Sequence, residues 1–166
     1  MLLRLFARPL FASWFIAEGA DALRHPVAHA TAGQEGLAVL HRWLRRAPVA
    51  AQAVDRVLTS VTDERLGTLA RAHGAATLVA AGALAAGKAP RTAGAALAAL
   101  TVPVVVASLP SGRVRNEVEA ARRRRFWTAV SALGGALLVA ADLAGRPGMA
   151  WRVHAAHEAR AAAAED

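Results

Sequence analysis

Apolar residues dominate four long stretches of the chain, and charged residues cluster between them. From Thr92 to Gly112, "TAGAALAALTVPVVVASLPSG", no residue carries a formal charge, over a length that matches the roughly 30 Å hydrocarbon core of a bilayer. From Phe126 to Gly145 the only charge is Asp142, near the end. Leu66 to Gly87 has Arg71 and His73 in its first turns and then the uncharged "GAATLVAAGALAAG". The first stretch, Leu2 to Leu23, is interrupted by Arg8, Glu18 and Asp21. Each of these costs about 2.5 to 3.5 kcal/mol at a bilayer centre and much less near its surfaces, where these three fall. The pattern predicts an all-α protein, a four-helix transmembrane bundle with spans near 3–23, 66–87, 92–111 and 126–144. Pro103 should kink the third span, and Lys88 to Arg91 form a tight turn before it.

The connection between the first two spans is too long to be structureless in a compact domain. In "EGLAVLHRWLRRAP", Leu37, Leu40 and Leu44 recur on one side while His41, Arg42, Arg45 and Arg46 take the other. Val54, Val57, Leu58 and Val61 repeat the pattern after Pro48. Residues 30–62 therefore read as an additional amphipathic helical segment, lying on a membrane surface or capping the bundle from outside. The tail, 146–166, is polar and helix-prone, beginning near Trp151.

Composition narrows the chemistry. A mean hydropathy of +0.32 with 55% apolar residues, many of them alanine, favours a membrane but leaves a soluble alanine-rich bundle as the alternative. The absence of cysteine excludes disulfides, thiolate nucleophiles and cysteine-ligated iron–sulfur clusters in this chain. A net charge of +8 calls for an anionic partner. The run "ARRRRFW", Arg122 to Arg125 before Phe126 and Trp127, has the form of a helix flank, with arginines on anionic head groups and aromatics in the interfacial belt. Nucleic acid is the less apt partner. The first and third connections hold the larger share of the 20 Lys and Arg residues, which places both termini outside the cytoplasm.

An unpaired ion in lipid neutralises or finds a counter-ion. With four spans, Glu18, Asp21 and Arg71 fall at one face of the membrane, and Arg8, Lys88, Arg91 and Asp142 at the other. Glu18 or Asp21 is expected beside Arg71, and Asp142 beside Arg8 or the Lys88/Arg91 turn. These groups either fix helix register or line a polar pocket; Glu18, Asp21, Arg71, His73 and Asp142 are the candidate contacts for a bound quinone. Catalytic residues are not identifiable. His25 and His29 stand four apart, but Pro26 interrupts a helix that would align them, and His154 and His157 lie in the tail. Both pairs read as surface histidines, and no metal site is expected. His73 has no evident second axial partner for a haem.

Three stretches in order resemble the DoxX family, especially its actinobacterial members: "ARPLFASWFIAEGADALRHP", "GALAAGKAPRTAGAALAAL" and "RRFWTAVSALGGALLVAADLAGRPGMAWR". The resemblance implies a single four-helix integral membrane domain in the cell membrane, and it counts the first helix as a span. Because the family takes its name from a subunit of a quinone-linked membrane oxidoreductase, it also implies an accessory or anchoring subunit of a membrane redox assembly, whose partner is a membrane or peripheral redox protein. A quinone-binding oxidoreductase and a small permease are the alternatives. Many relatives have His-Arg-Phe-Trp after the third helix and a lysine early in the fourth; here those places read "SGRVRNE" and "RRFWTAV", so no role attached to those groups carries over.

Overall fold

The computed structural model describes residues 2–47, 49–50, 52–54, 56, 63–112 and 116–142. Five α-helices account for most of them: α1 (Leu2–Arg24), α2 (Pro26–Trp43), α3 (Asp63–Ala85), α4 (Pro90–Ala107) and α5 (Glu117–Ala141). A 3₁₀ turn, Leu44–Arg46, closes α2, and residues 49–50, 52–54 and 56 are helical as well. No strand occurs among the described residues. The fold is all-α, and α1, α3, α4 and α5 correspond to the four apolar stretches. The tail, with Trp151, His154 and His157, lies outside the described residues, as do Val57, Leu58 and Val61.

The four long helices run antiparallel to their neighbours. Gly19 of α1 faces Gly74 of α3, while Arg8, earlier on α1, reaches Gly87 just beyond the end of α3. Gly94 of α4 packs on Ala136 to Ala140 of α5. The circuit closes where Phe11 of α1 sits on Gly135 of α5. Glycines permit each approach: a Cβ on Gly19 would lie 2.8 Å from the Gly74 carbonyl oxygen, and one on Gly74 would lie 2.8 Å from the Gly19 carbonyl oxygen. Small residues at this crossing let the two backbones meet directly.

Between α3 and α4 the turn uses Gly87 at φ 69° and Ala89 at φ 45°. Ala89 in the left-handed region is strained, and Pro90 immediately after it, whose ring presets the helical φ, starts α4. α4 continues unbroken through Pro103. α5 begins nine residues upstream of the expected span, at Glu117, capped by Asn116, whose side chain accepts a hydrogen bond from the Glu119 N–H at 2.9 Å. The arginine run is thus inside the helix, which hydropathy alone could not reveal because a helix capped in this way continues beyond its apolar part.

α2 lies across the end of the bundle where α1 and α4 finish and α3 and α5 start, packed on α3 and α4. The face it turns inward is not the expected leucine row. Gly36 and Val39 are buried, and Leu37, Leu40 and Leu44 are only partly so. Gly36 is set directly against the Val106 carbonyl and Ala107 backbone, where a Cβ would meet backbone atoms at 2.2 to 2.7 Å. The closest approach of the two helices, rather than leucine spacing, sets the orientation of α2.

The interior is built from small residues. Ala12, Ala81, Ala93, Ala98, Ala132 and Ala136 are buried with Phe15, Leu84 and Leu97. Many other large apolar side chains face outward around the bundle, among them Leu10 (73% exposed), Val79 (74%) and Leu138 (75%). Hydroxyls in the helices bond back to their own backbone, as with Thr77 to the His73 carbonyl, Thr101 to Leu97 and Ser108 to Val104. No buried side-chain polar atom lacks a partner among the described residues.

Candidate functional site

Polar side chains collect at the two ends of the bundle. At the end where the α3–α4 turn lies, Arg8 reaches Gly87, and Arg91 Nε donates to the Ala140 carbonyl oxygen at 3.3 Å. Asp142 caps α5 two residues later. The Arg91 turn and the end of α5 therefore meet. An arginine on the last carbonyls of a helix is favourable both as a donor and against the helix dipole.

The opposite end, beneath α2, carries the cluster of interest. Glu18 accepts from Arg125 Nη2, tying α1 to α5. Asp21 holds two imidazoles: His25 Nδ1 is 2.9 Å from Oδ1, and His29 Nε2 is 2.9 Å from Oδ2. Glu35 of α2 accepts from Arg122 Nη2. The expected partner of Glu18 and Asp21, Arg71, takes neither: both Asp21 oxygens are occupied by histidine, and Arg71 is exposed on α3. Of the five candidate contacts, Glu18, Asp21 and His73 come together at this end. Arg71 lies outside the cluster, and Asp142 is at the far end.

Two members of the cluster were not legible in sequence. His29 reads as a surface residue because Pro26 separates it from α1. Pro26 in fact occupies the first turn of α2, where its missing N–H is harmless; the corner at His25 then brings His29 back over Asp21. Arg125 reads as a lipid anchor within a basic run, but its position on α5 faces α1. The one available signal was helical phase: Arg122 and Arg125 are three apart and share a face, and it is these two that pair inward with Glu35 and Glu18.

Next to these pairs is a cavity of about 330 Å³. Its walls are Ala30, Gly33 and Leu37 of α2, Leu66, Leu69 and Ala70 of α3, and Pro103, Val104 and Ala107 of α4. Ala22 closes it on the α1 side, and His29, His73 and Arg125 supply its polar groups. Leu69 and Pro103, both exposed, mark its mouth between α3 and α4. α2 forms its roof. The size falls at the lower end of the range for small-molecule sites, and an apolar chamber with three nitrogen-bearing side chains suits an amphipathic ligand. Among the described residues no group of three or more His, Cys, Asp or Glu is placed to hold a metal ion. No nucleophile–base pair lines the chamber among the described residues.

Comparison with known proteins finds no family model, no curated protein and no solved structure that matches the chain.

Proposed function

We propose that the protein is a multi-pass integral membrane protein of the DoxX type, with α1, α3, α4 and α5 crossing the bilayer and α2 at its surface, serving as an accessory or anchoring subunit of a membrane redox assembly. The observation that carries the membrane reading is the inverted distribution of side-chain size. Water drives large apolar residues inward, yet here most of the buried core is alanine, with Phe15, Leu84 and Leu97 as its large members, while many leucines and valines, among them Leu10, Leu69, Val79, Val102, Leu137 and Leu138, lie exposed. In lipid that arrangement costs nothing, because tails solvate the large side chains and small ones let the helices approach. By length and composition one helix among the described residues, α4, is apolar enough to cross a membrane, and only 33% of it is buried within the protein. α1 and α3 fall short because of the end charges described above, and α5 because its apolar part runs only from Phe126 to Ala141. The charged end beneath α2, with Arg24, Arg42, Arg45 and Arg122 to Arg125, has the character of a cytoplasmic face.

The subunit reading draws on the resemblance of the three sequence stretches and on a chamber that offers binding groups without catalytic ones. A quinone-binding oxidoreductase is the second reading, favoured by that same chamber. Purification in detergent, followed by absorbance and mass spectrometry for quinone and flavin and identification of co-purifying proteins, separates the two. A cofactor-free protein that brings a redox enzyme with it supports the subunit; stoichiometric quinone overturns it.

A further inference from the structure

We infer that the chamber beneath α2 is a binding site for an anionic phospholipid, with one acyl chain between α3 and α4 and the phosphate against Arg125 and His73. The inference rests on the membrane reading above and adds the ligand class.

The lining is selective in charge as well as in polarity. Its polar side chains are His29, His73 and Arg125, all nitrogen bases, and no carboxylate lines it. Glu18 and Asp21 are not among the lining residues and pair with Arg125 and with the two histidines respectively. A guanidinium has five N–H donors, and the contact to Glu18 uses one Nη, so Arg125 retains donors for a second acceptor. The ring of His73 makes no hydrogen bond among the described residues, although it is set in the chamber wall. Arg123 and Arg124 are exposed on the adjoining turn of α5, which extends the positive field beyond the chamber. A neutral ring with carbonyl acceptors would leave the arginines on the rim without a role, whereas a phosphate takes the spare Arg125 donors and lies in the field of Arg123 and Arg124.

The placement fits the same ligand. The polar groups lie at the end of the bundle that carries α2 and the arginine run, the level at which head groups sit when the four helices span. Of the apolar remainder, Leu66 and Leu69 precede His73 on α3 and stand nearer the α2 end, while Pro103 and Val104 lie one turn in from the end of α4, so the acyl chain leaves the chamber sideways and not along the helix axes. Its mouth between α3 and α4 would open sideways into the bilayer, so a chain enters without crossing water. α2 is held over the site by the Gly36–Val106 backbone contact and by the Glu35–Arg122 pair.

The test uses the full chain purified in a mild detergent, delipidated, and exposed to an equimolar mixture of phosphatidylglycerol and phosphatidylcholine with identical chains. Native mass spectrometry should show one phosphatidylglycerol retained per chain, favoured over phosphatidylcholine by roughly tenfold, because the two phosphates are alike but the choline cation meets the like charge of Arg123 to Arg125. Gly33→Leu provides the steric control. Gly33 lines the chamber and a Cβ there meets nothing within 4 Å, so the variant should fold, fill the space and lose the retained lipid. Arg125→Gln should abolish the preference for phosphatidylglycerol. Equal retention of the two lipids by the wild type, or full phosphatidylglycerol retention by Gly33→Leu, overturns the inference, as does a co-extracted quinone that Gly33→Leu displaces. Protein that stays dispersed without detergent would instead sink the membrane reading on which the inference rests.

Discussion

Adding one methyl group at Gly74 should be among the most damaging small changes in this protein, while the same change at Gly82, two turns along the same helix, should be harmless or better. A Cβ on Gly74 would meet the Gly19 carbonyl oxygen at 2.8 Å, the Ala22 Cβ at 3.0 Å and the Leu23 Cγ at 3.3 Å. The first of these is backbone and cannot rotate away, and it lies about 0.6 Å inside ordinary contact. α1 and α3 must separate by about that much along their whole crossing, which forfeits dispersion for every pair of atoms at the seam. Overpacking of this kind costs about 1 to 3 kcal/mol. At Gly82 a Cβ meets nothing within 4 Å, and alanine in a helix interior is favoured over glycine by about 1 kcal/mol. Gly74→Ala gains the same propensity term, so a gap of about 1 to 3 kcal/mol should remain between the variants, or roughly 2 to 12 °C in midpoint for a chain of this size. Thermal unfolding in detergent, followed by circular dichroism, reads that gap. Gly19→Ala adds an internal check: its Cβ would meet the Gly74 oxygen across the same seam, so the double variant should cost less than the sum of the singles. Equal midpoints for Gly74→Ala and Gly82→Ala would refute the claim that α1 and α3 meet backbone to backbone.

Other outcomes follow from single contacts. Glu18→Ala should destabilise by about 1 to 3 kcal/mol because it leaves Arg125 facing α1 without its carboxylate, and the Glu18→Ala/Arg125→Ala pair should recover part of that loss in a double-mutant cycle by the same unfolding assay. The two histidines on Asp21 should differ. His29 is 14% exposed and His25 63%, so His29→Ala should lower the midpoint by several times as much as His25→Ala. Asn116→Ala removes the α5 cap and should cost about 1 kcal/mol, with helix loss in circular dichroism confined to the first turn and faster amide exchange at Glu119. An unchanged exchange rate there would contradict the capping assignment.

Sequence reading located the long helices because their apolar runs are long and their breaks chemically plain. Lys88 to Arg91, with Gly87 before it and Pro90 within it, makes the α3–α4 turn readable by inspection. Charge position was readable to the level of an end: Arg8, Arg91 and Asp142 do gather at one end of the bundle, and Glu18 and Asp21 at the other. Individual partners were not, because pairing depends on helix rotation, and hydropathy is silent about rotation when alanine lies on every face. Glu18 finds Arg125 rather than Arg71 because α5, and not the exposed side of α3, fills that flank of α1. The orientation of α2 is hidden from sequence for a related reason. Leucine spacing marks an apolar face, but the helix is held by the residue that lacks a side chain, Gly36, and a glycine contributes no hydrophobic signal. The chamber itself could not be foreseen, since it is the space left where all five helices come together and none of its residues is unusual alone.

The complete absence of cysteine makes the account's central claim open to direct measurement. Single cysteines at Leu10, Val79 and Leu138, with a fourth at Arg42 on exposed α2 as the aqueous reference, can each carry a nitroxide label in protein reconstituted into vesicles. Collision with dissolved oxygen should exceed collision with a water-soluble nickel chelate at the first three positions and fall below it at the fourth. Nickel accessibility at Leu10, Val79 and Leu138 equal to that at Arg42 would mean that water, and not lipid, bathes the outside of the bundle, contradicting the account.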